Sequence, residues 1–169
     1  MLNKKITTEL NLQLNRELLS SYDYLGMAAY CDNQDLPGAA NWLKQQSAEE
    51  REHAEKIYQY LGDMDANVKI TALPAPKQDF KDIKEVFEAV LAAELKITES
   101  LRNLANVAQE EQDQVTFGFL QWFLTEQIEE VASARGVLED IEKLGASGVG
   151  LYMLDEKLGS RNEESGNLE

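Results

Sequence analysis

The sequence predicts an all-α fold: a four-helix bundle with one long crossover between helices 2 and 3, plus a short C-terminal fifth helix. Three observations carry this. Four segments repeat apolar residues in alternating steps of four and three, the period of a helix side that faces a bundle core. Only three prolines and ten glycines interrupt 169 residues, and Glu, Leu, Ala and Gln are abundant, which favours helix. One internal segment, residues 63–78, is long, contains Pro74-Ala75-Pro76 and lacks a helical stripe.

Helix 1 is expected from Lys4 to Asp32, with a seam running Ile6, Leu10, Gln13, Glu17, Ser20, Tyr24, Met27, Cys31. A turn follows, with Asp35 or Leu36 near the cap and Pro37 suited to a first helical turn. Helix 2 runs from Pro37 to Leu61 and ends at Gly62, on the seam Ala39, Leu43, Gln46, Glu50, His53, Ile57, Tyr60. Helix 3 opens between Asp79 and Asp82 and reaches Gln109; its seam is apolar from Ile83 to Ala108 except at Glu94. An acidic turn, Glu110 to Asp113, leads into helix 4, which ends at Leu144 with Gly145 as its stop. That seam carries Leu120, Phe123, Gln127, Glu130, Ala134 and Val137. Helix 5 is expected from Val149 to Leu158, and the polar tail from Gly159 onward is expected to fray. The interior glycines Gly26, Gly118 and Gly136 mark close helix approaches or tolerated costs.

The sixteen residues of the 63–78 segment can span roughly 50 Å when extended. A helix of 25 to 30 residues is about 40 Å long. The segment can therefore return along the bundle and make helices 2 and 3 parallel. The other connections are short, so their helices run antiparallel. Length and topology together read as one domain spanning residues 1–169, with the bundle over 4–145.

The seams contain a repeated spacing. Glu17 precedes Glu50 by 33 residues, and Glu50 opens Glu50-x-x-His53. Glu94 precedes Gln127 by the same 33, and Gln127 opens Gln127-x-x-Glu130. One Glu-x-x-His on a helix is common by chance; four matched mid-seam positions are not. Glu17, Glu50, Glu94 and Glu130 would share one buried layer with no Lys or Arg on the seams to neutralise them. Buried ionised carboxylates without compensation cost several kcal/mol or more. Multivalent cations are the remedy, and oxygen ligands with one imidazole suit iron better than a thiolate-loving ion.

A formal net charge of −15 argues against nucleic acid and anionic membranes as partners. No run of eighteen apolar residues exists, so no membrane span is expected. The N-terminus lacks an apolar leader core, so no signal peptide is expected. The single Cys31 forbids an internal disulfide, fits a reducing compartment and reads as a buried structural thiol. The expected location is cytoplasmic, with a plastid possible after loss of a transit peptide.

Helix pattern, crossover and ligand spacing together resemble the bacterial-type, non-haem ferritins of the ferritin-like di-iron carboxylate superfamily. The resemblance covers essentially the whole chain. It implies an iron-storage ferroxidase that oxidises Fe2+ with dioxygen at an intra-subunit di-iron centre and deposits ferric oxyhydroxide mineral. It implies a hollow homo-oligomer of 24 subunits, with helix 5 lining channels. Glu17, Glu50 and His53 would form the first iron position and Glu94 would belong to the second, with Glu50 bridging. Gln127 would be the glutamine beside the second position, and Glu130 would lie close to it, as a second-position or neighbouring ligand. Glu49, Glu126, Glu129 and again Glu130 would make a third iron site. Tyr24 would be the tyrosine beside the centre, with a redox role, and Trp122 a nearby aromatic.

Departures from related families sharpen the resemblance. Glu52 stands where a haem-ligating methionine would be expected, so no haem is expected. One cysteine cannot supply the Cys-x-x-Cys pairs of a rubrerythrin, and one histidine cannot supply the His-rich sites of mini-ferritins. Helix 4 offers Phe117 and Leu120 where animal ferritins place acidic pore residues; Glu110, Glu111 and Asp113 are the nearby acids, and a solvated turn is their plainer reading. Two other classes stay open at this stage: a di-iron enzyme acting on an organic substrate, and a shell subunit without oxidation activity. The broken second Glu-x-x-His weighs against the former, the intact ligand set against the latter.

Overall fold

The computed structural model describes residues 2–160. Five helices follow in order: α1 Lys4–Asn33, α2 Pro37–Asp63, α3 Ile83–Glu110, α4 Gln114–Leu144 and α5 Gly148–Gly159. Among the described residues there is no strand. The four expected seams are the buried faces, and the helix ends lie within about two residues of their expected positions. The tail expected to fray falls, beyond Ser160, outside the described residues.

The core divides into two apolar blocks. One unites the end of α1 (Met27, Cys31), the start of α2 (Ala39, Leu43), the start of α3 (Ile83, Phe87) and the end of α4 (Val137, Ile141). The other unites the start of α1 (Ile6, Leu10), the end of α2 (Ile57, Leu61), the end of α3 (Leu101, Leu104) and the start of α4 (Leu120, Phe123). The starts of α2 and α3 thus share one end of the bundle, so these helices are parallel. That is the direction the long crossover requires. Each fully buried Leu, Ile or Phe contributes about 1.5–3 kcal/mol, so the two blocks supply the driving force around a polar middle.

The crossover is held to α1 by two asparagines. Asn11 Nδ2 donates to Asn67 O at 3.0 Å, and its Oδ1 accepts from Lys69 N at 2.6 Å. Asn15 repeats the pattern one turn on, donating to Lys69 O and accepting from Thr71 N. Gly26 serves the same segment. A Cβ there would lie 2.7 Å from Pro76 Cβ and 2.9 Å from Lys77 O. Its close approach is to the crossover, while Gly118 and Gly136 have nothing within 4 Å of a Cβ.

Gly62 does not stop α2. The helix continues to Asp63, and Asp65 takes the left-handed conformation at φ 54°. Asp35 and Gln112 end α1 and α3 the same way. The acidic turn after α3 is engaged locally. Lys5 pairs with Glu110 at 3.1 Å and Glu111 at 3.4 Å, and Asp113 caps α4 through Thr116 N at 3.0 Å. Leu120 is buried inside the bundle, so it lines no pore.

Candidate metal centre

A polar layer separates the two apolar blocks. α1 contributes Gln13, Glu17 and Ser20; α2 contributes Gln46, Glu50 and His53; α3 contributes Glu94; α4 contributes Gln127. Mid-seam placement points each side chain inward, since every third or fourth residue returns to the same helix face. Glu17 and Glu50 are 0% exposed and Glu94 1%, so these carboxylates have left water.

Glu17, Glu50 and His53 each bring one ligand atom to within 4.8 Å of the other two. Glu17 Oε2 and both oxygens of Glu50 are buried with no hydrogen-bond donor. His53 Nδ1 lies 3.4 Å from Glu50 Oε2. Three buried carboxylate oxygens without a donor are costly in an empty protein and well suited to a hard cation. Burial pushes the Glu50 carboxyl well above its usual range, and the negative charge of Glu94 adds to it. Glu17 is raised likewise, by burial first and then by Glu50. A bound cation would reverse both effects.

The second half of the layer is more occupied. Glu94 Oε1 accepts from the Tyr24 hydroxyl. Glu94 Oε2 accepts from Gln127 Nε2 at 3.0 Å, and Gln127 also reaches Thr98 Oγ1 at 3.2 Å. Glu130 Oε2 accepts from Gln46 Nε2 at 2.8 Å. Burial, with the charge of Glu94, lifts the Glu130 carboxyl to about 7. The Tyr24 phenol is pushed upward by burial and by Glu94, so it stays neutral.

Beside His53 and Glu130 a pocket of about 590 Å³ opens to the surface. Glu49, Glu126 and Glu129 line it, with Glu52 and one cation, Lys56, whose Nζ sits 3.9 Å from the centre of the Trp122 ring. Trp122 meets the His53 ring edge-on at 5.5 Å. Of the residues singled out from the sequence, Glu17, Glu50, His53, Glu94 and Gln127 lie in the layer, Tyr24 touches it through Glu94, and Glu49, Glu126, Glu129, Glu130 and Trp122 line the pocket that borders it; among the described residues, the close gathering of ligand atoms is that of Glu17, Glu50 and His53. Gln13 and Gln46 were visible as polar interruptions of apolar seams, yet their partners were not. Cys31 is buried as expected, and burial lifts its thiol to about 12.

A four-helix bundle with a long second crossover and a carboxylate–imidazole layer at mid-height is the ferritin-like architecture. The chain belongs to the ferritin-like domain family, which matches residues 7–144. Within it, the chain is similar to the bacterial non-haem ferritin of Staphylococcus saprophyticus, at 40% identity over 162 residues, 96% of this chain and 97% of the relative. It is 39% identical to that of Staphylococcus aureus over 161 residues, 95% of this chain and 97% of the relative. Among solved structures, the open-pore ferritin of the hyperthermophilic archaeon Archaeoglobus fulgidus superposes with a TM-score of 0.93 at 35% identity, covering 95% of this chain and 98% of that one.

Proposed function

We propose that this protein stores iron. It oxidises Fe2+ with dioxygen at an intra-subunit di-iron centre and deposits ferric oxyhydroxide inside a hollow homo-oligomeric shell. The observation that carries this reading is the trio of donorless oxygens on Glu17 and Glu50, gathered beside His53. The ferritin relatives support it.

Glu17, Glu50 and His53 hold one Fe2+, and Glu94 with Glu130 holds the other. Glu50 bridges, because it alone in the layer keeps both oxygens free of donors. The second position lacks an imidazole and shares its carboxylates with Tyr24, Gln127 and Gln46, so it holds iron more loosely. Each Fe2+ gives one electron, and dioxygen takes both. Anionic oxygen ligands favour the harder Fe3+, which drives the oxidation. Glu49, Glu126, Glu129 and Glu130 form the third iron site, and their pocket is the passage between centre and mineral. Dioxygen that has taken two electrons is at the peroxide level, and Tyr24 is placed to supply it a further electron, its proton passing along the existing hydrogen bond to Glu94.

The shell comprises 24 subunits and no haem. On α5, Leu154 and Leu158 are buried, whereas Val149, Tyr152 and Met153 are 76%, 66% and 52% exposed. That exposed strip is the surface a neighbouring subunit would cover. No helix among the described residues is long and apolar enough to cross a membrane. The proposed location is the cytoplasm of a bacterium; the staphylococcal relatives give no support to a plastid.

Anaerobic loading with Fe2+ followed by an oxygen pulse tests the proposal. Rapid oxidation of two or three Fe2+ per chain, abolished in Glu50→Ala, is the expected result. Monomers or dimers on size-exclusion chromatography would sink the shell.

A further inference from the structure

The layer's carboxylates are not held alike. Glu17, Glu94 and Glu130 each accept a hydrogen bond from a glutamine amide, supplied by Gln13, Gln127 and Gln46 respectively. Glu50 accepts none. Gln127 belongs to the repeated spacing that relates the two halves. Gln13 does not: the offset that carries Glu17 to Glu94 carries Gln13 to Val90. Gln13 is thus an addition peculiar to the first half.

Gln13 is fully buried one turn before Glu17. Its Nε2 donates to Glu17 Oε1 at 2.7 Å. Its Oε1 faces Arg16 Nη1 at 3.3 Å and Ser100 Oγ at 2.6 Å. Ser100 divides its hydroxyl between Gln13 and Ile97 O at 2.9 Å. A guanidinium can only donate. Turning the amide over would set its NH2 against Arg16 and its oxygen against the Glu17 carboxylate. The amide therefore has one favoured orientation, with its donors toward Glu17.

We propose that Gln13 is a positioning residue for ferroxidation. By occupying Oε1 of Glu17 it confines that carboxylate to one-oxygen ligation through the donorless Oε2, and Arg16 and Ser100 hold it there. The inference rests on reading Glu17, Glu50 and His53 as iron ligands. A carboxylate free to chelate with both oxygens would fill one more position on the ion. Restricting Glu17 keeps that position open for dioxygen. Outer partners of this kind orient metal ligands, and their loss typically costs about 10- to 100-fold in metal affinity or activity.

The test uses the assembled, metal-free protein titrated with Co2+ without oxygen. The visible ligand-field bands of Co2+ report coordination number independently of turnover. Gln13→Met keeps the volume and removes the donor. It should lower band intensity, as Glu17 chelates and coordination number rises, and change the tightest Co2+ affinity by about 10- to 100-fold. Ser100→Ala combined with Arg16→Met leaves Gln13 in place and loosens it from behind. A smaller change in the same direction is expected, so the idea stays testable if Gln13→Met does not fold. Native affinity and native bands in the folded variants would overturn the inference. Glu17→Ala separates the two levels. If it removes tight Co2+ binding while Gln13→Met changes nothing, only the role of Gln13 fails. If it leaves Co2+ binding intact, the metal-centre reading fails and this inference with it.

Discussion

Asp155 of α5 caps α2: its carboxylate accepts from Gly38 N at 3.1 Å and Ala39 N at 2.8 Å. The residue before Pro37, Leu36, has no side chain able to do so. The anionic group also meets the positive end of the α2 dipole. Asp155→Ala should lower stability by about 0.5–2 kcal/mol, the usual range for loss of an N-cap. Gly38→Ala should be worse, because a Cβ there would stand 1.8 Å from Asp155 O and displace α5. Thermal melts followed by circular dichroism would rank the two. Equal melting temperatures for Asp155→Ala and the native chain would remove this cap from the account.

The metal-free protein should lose stability as pH rises. Burial and the charge of Glu94 lift the folded Glu130 carboxyl to about 7, against about 4.5 for a free glutamate. Glu17 and Glu50 are raised in the same direction. Above about pH 4.5 the unfolded chain has released protons that the folded chain still holds, so raising the pH favours unfolding. For Glu130 the loss runs from about pH 4.5 to about 7. Cation binding requires the ionised carboxylates and should expel those protons. Denaturant melts of metal-free protein at pH 5 and pH 7 measure the loss. Anaerobic Co2+ addition in weakly buffered solution at pH 6 should acidify it. No proton release would show that these carboxyls are already ionised in the empty bundle.

The four seams were legible because burial recurs at every turn and leaves a period in the sequence. The layer was legible for the same reason: Glu17, Glu50, Glu94 and Gln127 stand where only apolar residues would otherwise be. What was not legible depends on partners distant in sequence. Asp155 caps a helix start 117 residues away, and nothing local distinguishes it from the other acid of α5, Glu156. The crossover asparagines lie off the periodic core stripe, and their partners are backbone groups of a segment without pattern. Gly62 misled because glycine near a helix end usually marks the stop, whereas here Asp65 adopts the left-handed turn.

Asn11 and Asn15 fasten the crossover by a match of pitch. Four helical residues rise about 6 Å, and two extended residues span about 6.6 Å. Asparagines one turn apart therefore meet every second peptide of an extended chain. Asn11→Ala or Asn15→Ala should cost about 1 kcal/mol per hydrogen bond lost, and the pair should loosen the crossover without melting the bundle. Amide hydrogen exchange reads this directly. The N–H groups of Lys69 and Thr71 should exchange faster in Asn11→Ala and Asn15→Ala respectively, while those of Leu101 and Leu104 stay protected. Unchanged exchange at Lys69 and Thr71 would mean the segment is held by something else.

One turn carries a correctable strain. After α3, Gln112 sits at φ 58°, with its N–H on Gln109 O and the next N–H, Asp113, on Ala108 O. This is the paired bonding of a Schellman turn, in which the left-handed residue is usually glycine. The left-handed region costs an L-residue with a Cβ roughly 1–2 kcal/mol. Asp35 and Asp65 occupy the equivalent positions after α1 and α2, and short polar side chains tolerate them better than the longer Gln112 does. Gly at position 112 relieves the strain but gives the unfolded chain more freedom, which offsets part of the gain. Gln112→Gly should therefore stabilise by somewhat less than about 1 kcal/mol, and by more than Asp35→Gly or Asp65→Gly. Chemical denaturation at constant slope measures all three. A destabilised Gln112→Gly would mean that its side chain makes contacts worth more than the backbone strain it imposes.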